Sequence, residues 1–107
     1  GVLAVRIREL VANEPGLTEK KMFGGLAFLI GGNMAVAASG HGGVMVRVDP
    51  AQSETLLATT NASLVEMHGR RMRGWMRVES DDLRTKTQLA KWVTLGVALA
   101  RSLDPKE

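Results

Sequence analysis

The order of hydrophobic periodicities predicts an α+β domain with the element order α-β(3)-α-β(2)-α. Apolar residues recur at helical spacing near both ends of the chain and once in the middle, and the two intervening stretches show strand patterns. Short glycine loops separate the first three strands, and such loops cannot make parallel crossovers. We therefore expect two layers, a five-stranded antiparallel sheet with the helices on one face.

The first half of the chain supplies one helix and three strands. The helix covers roughly the first dozen residues, and Pro15-Gly16 stops it. Its apolar positions are Leu3, Ile7, Leu10 and Val11. The strands are predicted at Leu26–Ile30, Met34–Ser39 and Val44–Val48, with glycine turns between them. In the third strand the valines share one face, and Met45 and Arg47 share the other.

The second half supplies a helix, two strands and a longer helix. Asp49 is predicted as the N-cap of the middle helix, which ends near Thr59–Asn61. The strands are predicted at Leu64–Met67 and Met72–Val78. Ser80–Asp82 is predicted to cap the last helix. The apolar stripe of that helix includes Trp92, which we expect in the core.

Length and composition exclude several classes of protein. The chain has 107 residues, which predicts one domain over residues 1–107. Its hydrophobic fraction of 45% excludes general disorder, and its longest apolar run, Leu26–Ile30, is too short to cross a membrane. Because there is no cysteine, disulfides and thiol catalysis are excluded, and a cytoplasmic location fits. The start at Gly1 leaves open whether an upstream segment has been trimmed.

Catalytic residues are scarce in this sequence. The two histidines, His41 and His68, lie in or beside glycine turns, and no metal-ligand spacing is present. The paired glycines lead into and out of strands, which favours hairpin turns over a phosphate loop. We therefore expect a protein that is not an enzyme, with no catalytic residue, cofactor or metal. The six methionines favour core packing, with a methionine-rich docking face as the alternative.

Basic residues are concentrated near the last predicted strand. The net charge is only +3, but four arginines fall within eight residues there. Arg73, Trp75 and Arg77 are predicted to share one strand face, with Met72, Gly74, Met76 and Val78 opposite. An aromatic side chain between cations is typical of a nucleic-acid platform. The alternative is that Trp75 lies under the last helix, flanked by the stems of the arginines.

Five segments, in this order, resemble the N-terminal domain of the TfoX/Sxy family. They are Lys20–Phe28, with the sequence K-K-M-F-G-G-L-A-F, and Gly32–Val36, Val44–Val48, Arg70–Val78 and Leu89–Val93. The resemblance spans roughly residues 3 to 103. It implies the α-β(3)-α-β(2)-α fold and carries over no catalytic residue.

The resemblance also implies a function in gene regulation. Full-length family members are linked to competence genes and act with a cyclic-AMP receptor-type activator. They carry a second domain similar to helix-hairpin-helix modules, and a chain ending at Glu107 leaves no room for it. We therefore expect a stand-alone, non-enzymatic interaction domain, with a protein such as a transcription factor, or a second copy in a homodimer, as its partner. No membrane is expected as a partner.

The candidate interaction surface joins the cations and aromatics of two segments. It consists of Lys20, Lys21, Phe23, Arg70, Arg71, Arg73, Trp75 and Arg77. The alternative function is nucleic-acid binding through the Arg70–Arg77 strand, which salt dependence would distinguish from a protein contact.

Overall fold

Over the residues that the structure describes, the fold has three helices and six strands. The computed structural model describes residues 2–22 and 24–106. The elements are α1 (Val2–Val11), β1 (Leu17–Met22), β2 (Gly25–Ile30), β3 (Asn33–Ala38), β4 (Val44–Arg47), α2 (Ser53–Thr59), β5 (Ser63–Met67), β6 (Arg70–Val78) and α3 (Lys86–Ser102). Short 3-10 turns, Pro50–Gln52 and Ser80–Asp82, precede α2 and α3. The mixed α and β content agrees with the prediction.

The strands form one open sheet in the order β1-β2-β3-β4-β6-β5, and every neighbouring pair is antiparallel. The predicted count of five strands is wrong, because β1 was not recognised. Its central residues, from Thr18 to Lys21, are polar and exposed, and only Leu17 and Met22 are half-buried. An edge strand of this kind shows no apolar alternation, since little of it is covered and charge protects the edge from unwanted pairing.

The two faces of the sheet hold separate apolar clusters. On the first face, Phe28, Val36, Val46 and Met76 belong to the main core together with buried residues of all three helices. On the second face, Ala27, Met34 and Ala37 form a smaller cluster with half-buried neighbours from other strands. These neighbours are Met22, Leu29, Met45 and Trp75. Among the described residues, every member of the second cluster comes from a strand.

Helix α3 approaches the sheet closely where β3 is irregular. Phe28 pairs with Val36 and Leu29 pairs with Met34, so Ala35 is an extra residue, a bulge. Gly96 of α3 lies against this bulge, and a Cβ atom there would overlap the carbonyl oxygen of Ala35. Trp92, one turn earlier in α3, is 5% exposed, which confirms its predicted place in the core.

The predicted N-cap is confirmed in the segment that leads into α2 and is wrong for α3. Asp49 Oδ1 accepts a hydrogen bond from the backbone N–H of Ala51 at 2.9 Å, and the helical segment that follows ends at Thr59, as predicted. The predicted cap of α3 at Ser80–Asp82 is wrong. Those residues form the 3-10 turn, and Thr85 caps α3 in a capping box with Gln88.

Candidate functional site

The two segments of the predicted interaction surface are not neighbours. Lys20 and Lys21 lie on β1, whereas the arginines and Trp75 lie on β6, and three strands separate β1 from β6. Four strand spacings amount to about 19 Å. Phe23 lies outside the described residues. The predicted surface is therefore divided, and the direction of each side chain decides which residues share a face.

The adjacent lysines of β1 point to opposite faces. Lys20 pairs with Ala27 of the second cluster, and Lys21 pairs with Leu26, which packs against the main core. Paired residues in a sheet share a face. Lys20 therefore lies on the second face, and Lys21 lies on the first face near α1. Lys21 there lines a groove of about 870 Å³ together with Arg8, whose guanidinium pairs with Glu19.

The adjacent arginines at the start of β6 divide in the same way. Arg70 pairs with Met67, and Arg71 pairs with Glu66. On β5, Leu64 packs against the main core, so Glu66, two residues later, also lies on the first face. Arg71 therefore belongs to the first face, and Arg70 belongs to the second.

A bulge at Gly74 separates Arg73 from Trp75. Leu64 pairs with Met76 and Val65 pairs with Met72, so the β5 pairing skips three residues of β6. Gly74 has φ +86°, and a Cβ atom there would crowd Val48 and Pro50. Its N–H donates to the buried Ser53 hydroxyl at 2.8 Å. The bulge interrupts the alternation that predicted one shared face.

Arg73 is turned towards α2. Its Nε and Nη2 donate to the Glu54 carboxylate at 2.8 and 2.9 Å, and Nη2 also donates to the Pro50 carbonyl. The hydrogen bond from Arg73 lowers the pKa of Glu54, and the same bond raises the pKa of Arg73. Arg73 thus joins β6 to α2, and the prediction that it flanks Trp75 is wrong.

Trp75 lies on the second face, away from the core that holds Trp92. The alternative placement under the last helix is therefore wrong. The cation over its ring is Arg47, whose guanidinium carbon is 5.2 Å from the ring centroid. Arg77 shares this face through its pairing with Met45. Its guanidinium donates to the Gly42 carbonyl at 2.7 Å and to Glu79.

The strand cations of the second face have no carboxylate among them. Pairing and alternation place Lys20, Arg47, Arg70 and Arg77 there. In the strands that the structure describes, the acidic residues are Glu19 and Glu66, and both lie on the first face. Glu79, just beyond β6, pairs with Arg77. The second face is therefore positively charged.

Most methionines lie on this same face. Met22, Met34 and Met45 belong to the second cluster. Met72 pairs with Val65 and Met67 pairs with Arg70, which places both methionines on the second face as well. Met76 alone of the six packs in the main core. Core packing thus explains Met76 and also Met34, which is 6% exposed, and the other four form a polarizable surface of the kind that adapts to partners.

Sequence reasoning missed Arg47 and Met45 as site residues, although their shared face was predicted. Both lie opposite residues of β6, Arg47 opposite Trp75 and Met45 opposite Arg77. The signal was the alternation of β4, with valines on one face and these two residues on the other. β4 pairs with β6, although α2 and β5 lie between them in the sequence. Local patterns therefore did not predict this pairing.

The two histidines lie outside the strands that carry this surface. His41 and His68 are exposed in turns, and His68 has φ +51°. Over residues 2–22 and 24–106, no group of three side chains is arranged to hold a metal ion. Within the same residues, no helix has the length and hydropathy needed to cross a membrane.

The fold and its positively charged sheet face define a small α+β domain built around an open antiparallel sheet. Residues 9–100 match the model of the TfoX N-terminal domain, so the chain belongs to this family. The family is associated with competence regulation. Among curated proteins, no match to the chain was found.

Proposed function

We propose that this domain is a cytoplasmic, non-enzymatic interaction module of a regulatory system, and that it docks a protein through the second face of the sheet. In this proposal the helices form one layer on the first face, and the second face is the outer surface of a two-layer domain. The single observation that carries the proposal is the chemistry of that face. Apolar side chains of Met22, Leu29, Met45 and Trp75 are half-buried there, within a set of cations.

The charge of the face favours an acidic protein partner over a second copy of the chain. Two copies meeting through this face would bring the four strand cations of each together, and like charges across an interface cost several kcal/mol. An acidic surface with an apolar centre would complement both the methionines and the cations. A transcription factor with such a surface fits the association of the family with competence regulation.

Nucleic-acid binding is the second candidate, and the four strand cations of the second face favour it. Two contacts weigh against it. Arg47 lies over the Trp75 ring, where a base would stack, and Arg77 is partly neutralised by Glu79. A face with methionines at its centre also suits a protein better than a phosphate backbone.

Site-specific cross-linking tests the proposal directly. A photoreactive amino acid replaces Met45 in the second face, and a matched variant carries it at the exposed Thr94 of α3. The proposal predicts protein adducts in cells at position 45 and none of the same adducts at position 94. Nucleic-acid adducts at position 45 would establish the second candidate instead. Absence of protein adducts at position 45, or equal adducts at both positions, would refute docking through this face.

A further inference from the structure

Helix α1 forms one wall of the groove that Lys21 lines. Val2, Val5 and Arg8 all line this groove, and their three-residue spacing places them along one side of the helix. In the described residues three large apolar side chains are exposed, and Val2 and Val5, at 79% and 48%, are two of them. The wall is therefore apolar and open to solvent, and it runs about 9 Å along the helix axis from Val2 to Arg8.

The floor of the groove is the end of the first face of the sheet. Lys21, Leu26 and Ala38 pair in one row from β1 to β3, and all three line the groove. Four further lining residues have no side chain, namely Gly24, Gly25, Gly40 and Gly42. The volume of about 870 Å³ lies within the range of roughly 300–1,000 Å³ for pockets that hold small ligands, which are also mostly apolar. The groove thus has the size and the lining of a small-molecule site.

The charges beside this apolar wall are positive. Among the described residues that line the groove, Arg8 and Lys21 are the charged ones. The Arg8 guanidinium is already held by the Glu19 carboxylate, at 2.7 and 2.9 Å. Within the described part of the chain, none of the ion pairs includes Lys21. The Ser39 and Ser80 hydroxyls accept hydrogen bonds from loop N–H groups. The Lys21 ammonium is therefore the charged group that can meet a ligand.

We propose that this groove binds a small amphipathic carboxylate, with an elongated apolar body along Val2 and Val5 and the carboxylate at Lys21. The inference is independent of the proposed function, because the groove lies on the first face and the docking surface lies on the second. An apolar body removes the exposed valines from water. A cationic head group would meet Arg8 and Lys21 with the same charge, and like charges brought together in this way weaken binding.

Octanoate is the probe, because its chain is elongated and it carries one carboxylate. Butanoate controls for the head group alone, and octyltrimethylammonium has the same chain with the opposite charge. Titration of the isotope-labelled protein, followed by NMR of the backbone amides, gives both the dissociation constant and the place of binding. We expect octanoate to bind at least tenfold tighter than either control, since each methylene group that is buried tightens binding by about fourfold. The largest shifts should fall in α1 and at the glycines that line the groove.

Matched protein variants separate the groove from the rest of the surface. Lys21→Gln removes the proposed partner of the carboxylate, and Lys20→Gln makes the same change on the second face. Val5→Gln removes apolar surface from the wall, and Leu57→Gln does so at the third exposed apolar residue, which lies on α2. All four side chains are exposed, so the variants are expected to fold. We expect at least a fivefold loss of octanoate affinity in Lys21→Gln and Val5→Gln, and less than a twofold change in the other two.

Four outcomes would overturn the inference. They are absence of octanoate binding, equal binding of octyltrimethylammonium, equal losses of affinity in the matched variants, and shifts confined to the second face around Met45 and Trp75. Cross-linking at position 45 reports on the proposed function alone. Protein adducts there, together with failure of octanoate, would therefore reject the groove as a carboxylate site and leave the docking surface in place.

Discussion

The apolar cluster on the first face of the sheet includes buried residues of all three helices, whereas the cluster on the second face draws, among the described residues, on strands alone. Phe28, Val46 and Met76 on the first face are fully buried, and they pack in a core that includes Trp92. On the second face, Met45 and Trp75 stay half-buried and cations surround them. The same strands thus provide both stability and an accessible surface, and alternation along each strand keeps the two apart.

The largest expected difference between the faces concerns the two tryptophans. Trp92→Ala should lower the free energy of unfolding by about 3–5 kcal/mol, the range for truncating a buried large aromatic residue. Trp75→Ala should cost less than half as much, because Trp75 is half-buried against the second cluster and does not belong to the main core. Chemical denaturation of both variants makes the comparison. Equal losses of unfolding free energy in the two variants would mean that the second face stabilises the fold as much as the first.

Because α3 lies so close to the first face, adding one methyl group at Gly96 is expected to lower the free energy of unfolding. Gly96→Ala should destabilise the protein by about 1–3 kcal/mol, since the new Cβ would overlap the Ala35 carbonyl oxygen. Alanine in place of glycine otherwise favours a helix. Thr94→Ala, on the exposed side of α3, is the control and should change stability by less than about 0.5 kcal/mol. Stabilisation by Gly96→Ala would show that α3 does not press on the bulge.

A smaller effect is expected where Arg47 covers Trp75. In a Trp92→Phe background Trp75 is the remaining tryptophan, and Arg47→Ala should make its fluorescence more accessible to a soluble quencher. The loss of stability should be about 0.5–1 kcal/mol, as for an exposed cation–π contact. Lys91→Ala on α3 controls for the removal of one positive charge. Unchanged quenching after Arg47→Ala would contradict the stacked arrangement.

The smallest effect concerns the ion pair of Arg73 with Glu54. Because the pKa of Glu54 is lowered by Arg73, the contribution of the pair to stability is complete above the pKa of the unfolded carboxyl group. It is lost as the pH falls through the lowered pKa of the folded state. Glu54→Gln and Arg73→Ala should each remove this part of the pH dependence and leave partner binding unchanged. Loss of partner binding in Arg73→Ala would mean that Arg73 belongs to the docking surface after all.

Local patterns predicted most elements of the fold but not how the strands meet. The core position of Trp92 and the separation of Met45 and Arg47 from the valines followed from periodicity. The polar edge strand β1 gave no such signal. The Gly74 bulge also escaped prediction, because it depends on contacts with Ser53 and Val48, which lie far from it in the chain. The separation of Arg73 from Trp75 is a consequence of that bulge, whereas Arg70 and Arg71 are divided by ordinary strand alternation.

The most direct test of the docking face compares two double variants of equal charge. Lys20→Glu with Arg70→Glu changes the second face, and Lys21→Glu with Arg71→Glu changes the neighbouring residues that point to the first face. Each pair takes the net charge from +3 to −1, since two cations become two anions. The measurement is the affinity for the protein that cross-links at position 45. We predict at least a tenfold loss in the first double variant and no more than a twofold change in the second. Equal losses in the two would contradict a docking site on the second face.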